Sequence, residues 1–269
     1  MKFGGTSVGT PQSIANVLQL VQQRRAEDPV VVVSAFSGVT NALVELGNSA
    51  PRGAADLGPI TLRHRQMLAD LRLPGDLLDP LLGELADLTR GMQLVKEASP
   101  RAMDLLLSYG ERCSARVVAA YFTAQGMPAV AVDAFAAGLR SDSNFGRARP
   151  VPDDGRIARA IDEARQTGLP VITGFLAADK HGNITTLGRN GSDYSAALFG
   201  NALDVREIQI WTDVDGVMTA DPRLVEGTRP IPTMSFGEAS ELAYYGGKVL
   251  HPATILPAMQ KNIPVRVLN

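Results

Sequence analysis

Several stretches of the sequence place glycines next to cationic or hydroxyl-bearing residues, a pattern that suits an anionic ligand. The chain opens with KFGGTSVG (2–9), in which Lys2 precedes the glycines Gly4 and Gly5. Glycine lets backbone N–H groups approach an anion closely, and a neighbouring lysine supplies positive charge. The stretch therefore predicts a phosphate-binding loop, although a flexible polar terminus has the same composition.

A second stretch, TTLGRNGSDYSAAL (185–198), is more specific, because Arg189 stands between two glycines. The planar guanidinium of arginine suits a carboxylate or a phosphate. Ser192 and Asp193 can cap a helix that we expect to begin at Tyr194. An ordinary cap explains the serine and the aspartate, but it does not explain the arginine between glycines.

Hydroxyl-bearing residues also follow a predicted buried strand in VVSAFSGVTN (32–41). Ser34 and Thr40 would lie near the start of the next helix, where N–H groups and hydroxyls can bind an anion. A helix cap followed by a turn accounts for the same residues, and this stretch taken alone favours that interpretation.

A fourth stretch, IWTDVDGVMTADPR (210–223), begins with another predicted strand and contains Asp213, Asp215 and Asp221. Acids after a strand could orient the hydroxyls of a nucleotide or its metal, whereas Asp-Gly and Asp-Pro pairs are also common in solvated turns. The stretch begins like a calcium-binding EF-hand loop but lacks the downstream spacing and the bidentate glutamate, which excludes calcium.

Two further charged residues stand in unusual surroundings. Lys248 follows two glycines in YYGGKVLHPAT (244–254), again a cation beside bare backbone. Glu111 follows Gly110 in a segment that is otherwise rich in apolar residues. If Glu111 is buried, it needs a cationic partner from the protein or from a substrate; a solvent-facing Glu111 needs none.

The familiar nucleotide and metal motifs are absent from the sequence. It contains no GxxxxGK[ST], no GxGxxG that opens a helix after a strand, no HExxH and no CxxC pair. A nucleotide would therefore have to be bound by a different kind of loop. Three scattered histidines and one cysteine do not provide a structural zinc site.

The composition favours a globular protein that acts on a small molecule. The 269 residues are 45% hydrophobic and 20% charged, enough for a large core. The net charge of -2 is spread along the chain, so no basic block indicates nucleic acid or a membrane. The lone Cys113 cannot form an internal disulfide, which suits the cytoplasm. Neither a membrane span nor a signal peptide is predicted, since the most apolar stretch (29–44) is short and polar.

Predicted strands and helices alternate along the chain and must position these residues. Continuous apolar runs predict buried strands at 30–35, 127–134, 169–175, 207–213 and 263–268. Helical spacing appears at 99–126, with Ser99 as cap, and at 10–25, where one stripe comprises Ile14, Val17, Leu18 and Val21. The alternation predicts an α/β fold: a three-layer αβα sandwich with a mostly parallel open sheet, whose ligands bind at the carboxyl ends of the strands.

Three segments depart from this alternation. Residues 51–98 lack β-branched runs and predict a helical insertion, which could act as a lid or a small subdomain. Residues 139–154 are loop-like, and residues 177–188 predict a hairpin that turns at 181–183.

Six sequence blocks together resemble a known family in their order and approximate spacing: KFGGTSVG, VVSAFSGVTN, YGERCSAR, TTLGRNGSDYSAAL, WTDVDGVMTADPR and YYGGKVLHPATI. The set is similar to aspartate kinase, the aspartokinase branch of the amino-acid kinase family, over nearly the whole chain. The resemblance implies a carbamate kinase-like catalytic domain over 1–269, with the nucleotide bound mainly by about 185–269 and the amino acid by the N-terminal part. It further implies ATP and Mg²⁺ as cofactors and conversion of L-aspartate to 4-phospho-L-aspartate at the head of lysine, threonine and methionine biosynthesis.

The same resemblance assigns roles to individual residues. It makes Lys2 and Asp193 catalytic, with Lys2 beside the transferring phosphoryl group and Asp193 holding it. Phosphate contacts fall to Gly4, Gly5 and Ser34. The substrate-binding residues are Thr40, Glu111, Arg189 and Ser192. The nucleotide-binding residues are Thr212, Asp213, Met218, Asp221, Arg223 and Lys248, and no residue is assigned as a metal ligand.

The chain also departs from the family pattern. Met1 alone precedes Lys2, so we expect the first strand to be short or missing. Met218 stands where many relatives carry a tyrosine, and GRNGSD (188–193) resembles the aspartokinase modules of bifunctional enzymes. The chain stops at Asn269, where the family usually continues into regulatory ACT domains, so feedback inhibition through such domains is not implied.

Two alternatives stay open. One is another kinase of the same fold with a different acid or a nucleotide monophosphate as substrate; Glu111 and Arg189 argue against it, because together they fit a free α-amino acid. The other is a kinase-fold module, or a fragment of a longer enzyme, that binds a nucleotide or a partner without turnover. A homodimer is compatible with either interpretation.

Overall fold

A six-stranded sheet forms the centre of the molecule in a computed structural model that describes residues 1–214, 216–219, 225, 227–244 and 252–269. Its strands are β1 (Lys2–Phe3), β2 (Val31–Val33), β3 (Ala129–Val132), β4 (Leu169–Thr173), β7 (Ile208–Trp211) and β8 (Val265–Leu268), in the order β3-β4-β2-β1-β7-β8. All neighbours in this sheet pair in parallel. A separate antiparallel hairpin consists of β5 (Leu176–Ala178) and β6 (Ile184–Thr186).

The first strand is short but lies in the middle of the sheet. Lys2 is in register with Val32 on one side and Ile210 on the other. The expectation of a short first strand is thus met, and Lys2 itself is part of it. Pairing on both sides fixes its backbone, because a central parallel strand is hydrogen-bonded along both edges.

Helices cover both faces of the sheet. They are α1 (Pro11–Gln23), α2 (Val39–Ser49), α3 (Gly58–Asp70), α4 (Asp79–Val95), α5 (Pro100–Ala124), α6 (Arg156–Thr167), α7 (Gly191–Ala202), α8 (Phe236–Tyr244) and α9 (Pro252–Gln260). The predicted cap of α5 is confirmed, since the Ser99 side chain accepts a hydrogen bond from the Ala102 N–H. All four apolar residues of the predicted α1 stripe are buried. None of the described helices combines the length and apolarity needed to cross a membrane.

Alternation along the strands divides the core into two layers. Val31 and Val33 pack with residues of α1 to α5, whereas Val32 packs with residues of α6, α7 and α9 on the opposite face. Side chains of a strand point alternately to the two faces of its sheet, so both faces can be apolar and buried. This is the three-layer αβα arrangement that the sequence predicts, and each of the five predicted runs contains a strand.

Candidate functional site

The carboxyl ends of five neighbouring strands, β4, β2, β1, β7 and β8, form one polar edge of the sheet. Beyond the strands, the Gly174 N–H donates to the Val33 carbonyl at 2.8 Å, and the Ser34 N–H donates to the Phe3 carbonyl at 3.1 Å. The Thr212 N–H continues the ladder on the other side, to the Leu268 carbonyl at 2.9 Å. Glycines and hydroxyl residues that are separated in the sequence therefore meet at the edge where parallel sheets bind ligands.

Lys2 and Asp193 form an ion pair at this edge. The Lys2 ammonium nitrogen lies 2.5 Å from Asp193 Oδ1, and Lys2 is only 8% exposed. The lysine belongs to the central strand β1 and the aspartate to the first turn of α7. A lysine held in one geometry by a buried partner is an oriented charge, which suits it to stabilise a transferring anion.

The expected start of α7 is wrong by three residues. The helix begins at Gly191 rather than at Tyr194, and Asn190 occupies the cap position in a left-handed conformation with φ of 54°. No side chain caps the helix, so Ser192 and Asp193 lie within its first turn. Serine and aspartate are also favourable in a first turn, which is why composition alone did not distinguish the two placements.

Close packing holds the start of α7 against the end of β4. A Cβ atom at Gly174 would lie 2.6 Å from the Ser192 hydroxyl oxygen, and one at Gly191 would lie 2.5 Å from the ring of Phe175. The Ser195 hydroxyl accepts a hydrogen bond from the Phe175 N–H at 2.9 Å. These contacts fix the half-buried Ser192 at the edge of the sheet.

The glycines of KFGG are packed against the loop that follows β2. The Ser37 N–H donates to the Gly5 carbonyl at 3.1 Å, and a Cβ atom at Gly5 would lie only 2.8 Å from the Ala35 carbonyl oxygen. Gly4 lies next to the Lys2 side chain, since a Cβ atom at Gly4 would be 3.5 Å from the Lys2 ammonium nitrogen. The structure thus brings Gly4, Gly5 and the Lys2 charge together, and phosphate binding by this loop stays a prediction.

Glu111 is buried in the middle of α5, with an exposed fraction of 3%. Its Oε1 accepts a hydrogen bond from the Ala35 N–H at 3.0 Å, whereas its buried Oε2 has no hydrogen-bond partner in the described part of the chain. Burial raises the pKa of this carboxyl to about 7. Glu111 is thus buried, and no described protein cation pairs with it, so a cationic partner would have to come from a substrate.

Thr40 and Arg189 are less enclosed. Thr40 is half-buried in the first turn of α2, which starts after Gly38 without a side-chain cap. The Arg189 side chain is exposed and forms no ion pair or hydrogen bond with another described residue. Gly188 precedes it with φ of 76°, a conformation that favours glycine.

A buried carboxylate that no motif indicated lies near this loop. Asp104, on α5, is 1% exposed and accepts hydrogen bonds from the Gly146 N–H and the Thr186 N–H, each at 2.9 Å. It also accepts one from the Thr186 hydroxyl at 2.8 Å. Burial raises its pKa, although these three bonds oppose the shift. Its only sequence signal is its spacing of seven residues from Glu111, which places both on one face of the helix.

Three of the expected nucleotide-binding residues lie in the described part of the loop after β7. The Thr212 hydroxyl donates to Asp213 Oδ1 at 3.2 Å, and Asp213 is exposed. Met218 is half-buried and pairs with Pro230 in an isolated bridge. The other three expected nucleotide-binding residues, Asp221, Arg223 and Lys248, lie outside the described residues. Asp215, the other acid of this loop, also lies outside them.

The described residues do not form an all-protein metal cage. Within them, no three histidine, cysteine, aspartate or glutamate side chains lie close enough to hold a metal ion. The exposed Asp213 can offer a carboxylate oxygen, the kind of ligand that Mg²⁺ prefers. A magnesium ion that arrives with nucleotide phosphates needs only one or two protein ligands.

Comparison with known proteins gives a consistent result. The family model described as "Amino acid kinase family" matches residues 1–269. The chain is 38% identical to aspartokinase 1, chloroplastic, of Arabidopsis thaliana, covering 100% of this chain and 49% of that protein. It is 36% identical to lysine-sensitive aspartokinase 3 of Escherichia coli, covering 99% of this chain and 60% of that one. The chain thus spans about half the length of these curated relatives.

Solved structures match in the same way. Escherichia coli aspartokinase III in complex with aspartate and ADP superposes with a TM-score of 0.86 at 34% identity, covering 99% of this chain and 60% of that one. Uridylate kinase from Archaeoglobus fulgidus gives a TM-score of 0.56 at 15% identity, with 99% and 87% coverage. The second match supports the fold alone.

Proposed function

The chain belongs to the amino acid kinase family, and we propose that it is the catalytic part of an aspartate kinase. In this proposal it transfers the γ-phosphoryl group of ATP to the β-carboxylate of L-aspartate and forms 4-phospho-L-aspartate. One observation carries the proposal: the buried Glu111 has an unpartnered oxygen at the same sheet edge as the Lys2–Asp193 pair. An amino acid kinase needs an ammonium site beside a phosphoryl site, and these residues offer both.

The proposed amino-acid pocket uses opposite charges at its two ends. The free Oε2 of Glu111 accepts the α-ammonium, which supplies the cation that this buried carboxylate lacks. The exposed guanidinium of Arg189 takes the α-carboxylate as a bidentate pair. The hydroxyls of Thr40 and Ser192 complete the pocket. A substrate without a free ammonium would leave Glu111 unpaired and is therefore disfavoured.

The proposed transfer depends on charge and position. The β-carboxylate is ionised at pH 7, so no general base has to remove a proton. One of its oxygens attacks the γ-phosphorus in line; a new P–O bond forms, the bond to the β-phosphate oxygen breaks, and ADP leaves with that electron pair. Lys2, fixed by Asp193 at 2.5 Å, stabilises the charge on the transferring group. Gly4, Gly5 and Ser34 contact its oxygens.

On the nucleotide side we propose ATP bound with Mg²⁺ by the loop after β7. Thr212, Asp213 and Met218 are the described residues of this set, and Asp213 can offer the metal an oxygen ligand directly or through water. Mg²⁺, when bound, neutralises phosphate charge that would otherwise repel the attacking carboxylate. We further propose that the reaction takes place in the cytoplasm and opens lysine, threonine and methionine biosynthesis.

A substrate comparison tests the proposal. ADP release by the purified chain is measured with L-aspartate, L-glutamate, N-acetyl-L-glutamate and UMP, at saturating ATP and Mg²⁺. We expect turnover with L-aspartate and not with the other three. Turnover on another acceptor would overturn the substrate assignment, and ATP binding without turnover on any of them would favour a module that does not catalyse the reaction.

A further inference from the structure

Two buried carboxylates lie on one face of α5 and have different hydrogen-bond environments. Asp104 and Glu111 are seven residues apart, which is two helical turns and about 10 Å along the axis. Asp104 accepts three hydrogen bonds from the protein, whereas Glu111 accepts one and keeps an oxygen without a partner among the described residues. Both oxygens of Asp104 accept from protein donors, whereas one oxygen of Glu111 has no donor among the described residues.

The donors to Asp104 come from two segments that are distant in sequence. Gly146 belongs to the loop after β3, and Thr186 is the last residue of β6. These segments also bind each other, because the Ala148 N–H donates to the Thr186 carbonyl at 2.9 Å. Asp104 therefore fastens the loop and the end of β6 to α5.

This attachment lies next to Arg189. Only two residues separate Thr186 from the arginine, and the intervening Gly188 lies against the other fastened segment. A Cβ atom at Gly188 would be 3.5 Å from the Gly146 carbonyl oxygen and 3.7 Å from Arg147 Cγ. Because Arg189 has no ion pair with another described residue, its position depends on this backbone anchor.

We propose that Asp104 is a positioning residue, which sets the distance between the Arg189 guanidinium and the free oxygen of Glu111 and thereby fits the pocket to an α-amino acid. The inference rests on the proposed function, since that function assigns the α-carboxylate to Arg189 and the α-ammonium to Glu111. One rigid helix holds both sites: Glu111 directly and Arg189 through Asp104. Rigid elements hold binding groups more accurately than loops do.

Two substitutions separate this role from a merely structural one. Asp104→Ala removes every acceptor at the site. Asp104→Asn can keep the arrangement, because its carboxamide oxygen can accept from both N–H groups while its NH₂ donates to the Thr186 hydroxyl. We expect Asp104→Ala to raise the KM for aspartate by about 30-fold, since small displacements of binding groups cost one to two orders of magnitude. The KM for ATP should change by less than about threefold, and Asp104→Asn should restore most of the aspartate affinity.

Asp179→Ala serves as the matched control. Asp179 is a buried aspartate in the β5–β6 hairpin. It accepts hydrogen bonds from Ser143 in the loop after β3 and from His181 and Asn183 in the hairpin turn, but not from Gly146 or Thr186. Its loss should destabilise the hairpin turn while leaving the KM for aspartate within about twofold of the wild-type value. An equal rise in that KM would contradict a specific role for Asp104.

Amide hydrogen exchange provides a readout that does not depend on turnover. Asp104→Ala should increase exchange in residues 144–148 and 186–191, and unchanged exchange would overturn the inference. Faster exchange with an unchanged KM for aspartate would also overturn it, because the attachment would then be structural only. If the wild-type chain failed to turn over aspartate, the proposed function would fail, and the exchange result would still judge the attachment.

Discussion

The amino-acid side and the nucleotide side of the candidate site are built differently. On the amino-acid side, Lys2 and Glu111 are 8% and 3% exposed and belong to a central strand and a long buried helix, and only Arg189 of the charged residues proposed there is exposed. On the nucleotide side, the described residues lie in a loop, where Asp213 is exposed and Met218 half-buried. Among the described residues of that loop, the Ile231 N–H donates to the Val217 carbonyl at 2.7 Å, and the Arg229 N–H donates to the Thr219 hydroxyl at 3.1 Å.

The difference indicates where the site discriminates. Charges in a buried setting interact strongly and cannot be replaced by water, so they select a substrate and orient it. An exposed side chain beside a nucleotide contributes less, because the phosphates and the metal ion supply further contacts. Arg189 is exposed too, but in the proposed pocket it pairs with the α-carboxylate directly. Substitutions on the amino-acid side should therefore have larger effects on activity than those on the described nucleotide side.

The largest effect is expected from Lys2→Ala. Removing an oriented charge at the transferring group should lower kcat by about 10³-fold, in the upper range for the loss of one stabilising donor. ATP binding, followed by calorimetry, should remain within a few-fold of the wild-type value. The exposed Lys180 on the β5–β6 hairpin provides the control, since Lys180→Ala should leave kcat unchanged. A wild-type kcat in Lys2→Ala would remove the role assigned to this lysine.

The next effect is on the KM for aspartate. Arg189→Ala should raise this KM by about 10²-fold, because it removes a bidentate charge-assisted pair. Arg189→Lys keeps the charge without the planar fork and should recover only part of the loss. Arg149→Ala, at an exposed position in the loop after β3, is the matched control and should have no effect on the KM. Full recovery by lysine would mean that charge alone is recognised.

Glu111 should make aspartate binding dependent on pH. Burial raises the pKa of Glu111 to about 7, and only its ionised form attracts an ammonium. The value of kcat/KM for aspartate should therefore fall by about tenfold per pH unit below pH 7, measured at saturating ATP and Mg²⁺. Glu111→Gln should be less active at pH 8 and should lack this slope. Parallel profiles for the two proteins would contradict the assignment.

The same pKa shift predicts an effect on stability in the absence of substrate. Because the carboxyl has a higher pKa when folded than its ordinary 4.5, the folded chain binds the proton more tightly between pH 4.5 and 7. As the pH rises from 4.5 to 7, the free energy of unfolding should therefore fall by about 3 kcal/mol. Above pH 7, Glu111 should cause no further change in it. Chemical denaturation at pH 5 and pH 8 should show this decrease in the wild-type chain and a smaller one in Glu111→Gln.

A smaller effect is expected on the nucleotide side. Asp213→Asn should raise the KM for ATP by about fivefold and leave the KM for aspartate unchanged, because an exposed carboxylate contributes modestly. Steady-state kinetics with each substrate varied in turn measure both values. A change in kcat as large as that of Lys2→Ala would show that substitutions on the nucleotide side affect activity as strongly as those on the amino-acid side.

The smallest effect tests the helical insertion of residues 51–98. Arg63, on α3, donates a hydrogen bond to the Gly9 carbonyl, and the ring of its neighbour His64 lies 5.4 Å from that of Phe36. The insertion thus contacts the loop after β1 and the loop after β2. Arg63→Ala should lower kcat by about threefold with little change in either KM, because one partly buried hydrogen bond to the loop is lost. Whether the insertion moves as a lid stays a prediction.

Sequence patterns predict the strands and helices better than the exact helix ends and the burial of single polar side chains. Buried parallel strands leave continuous apolar runs, so all five predicted runs contain a strand, and the α1 stripe is buried as expected. The start of α7 was misplaced because Asn190 adopts a left-handed cap conformation that no side-chain pattern reveals. The burial of Glu111 could be stated only as a condition, since it depends on how α5 packs on the sheet.

Residues of the candidate site can be predicted from sequence where they occur in recognisable motifs. KFGG and GRNGSD pointed to Lys2 and Arg189, and the structure brings Lys2 together with Asp193. Asp104 was missed because a single aspartate within a helix has no local signature; its importance appears only when residues 42 and 82 positions away donate to it. Long-range contacts of this kind are set by the tertiary fold and not by local sequence.

Trapping the product shows whether the chain phosphorylates the β-carboxylate of L-aspartate. Acyl phosphates react with hydroxylamine to give stable hydroxamates, so the chain is incubated with L-aspartate, ATP, Mg²⁺ and hydroxylamine. We expect aspartate β-hydroxamate, identified by mass spectrometry and NMR, with one ADP released for each hydroxamate. We also expect the hydroxamate to be lost in Lys2→Ala. ADP release without hydroxamate, or a hydroxamate formed from L-glutamate at a similar rate, would show that the chain is not an aspartate kinase.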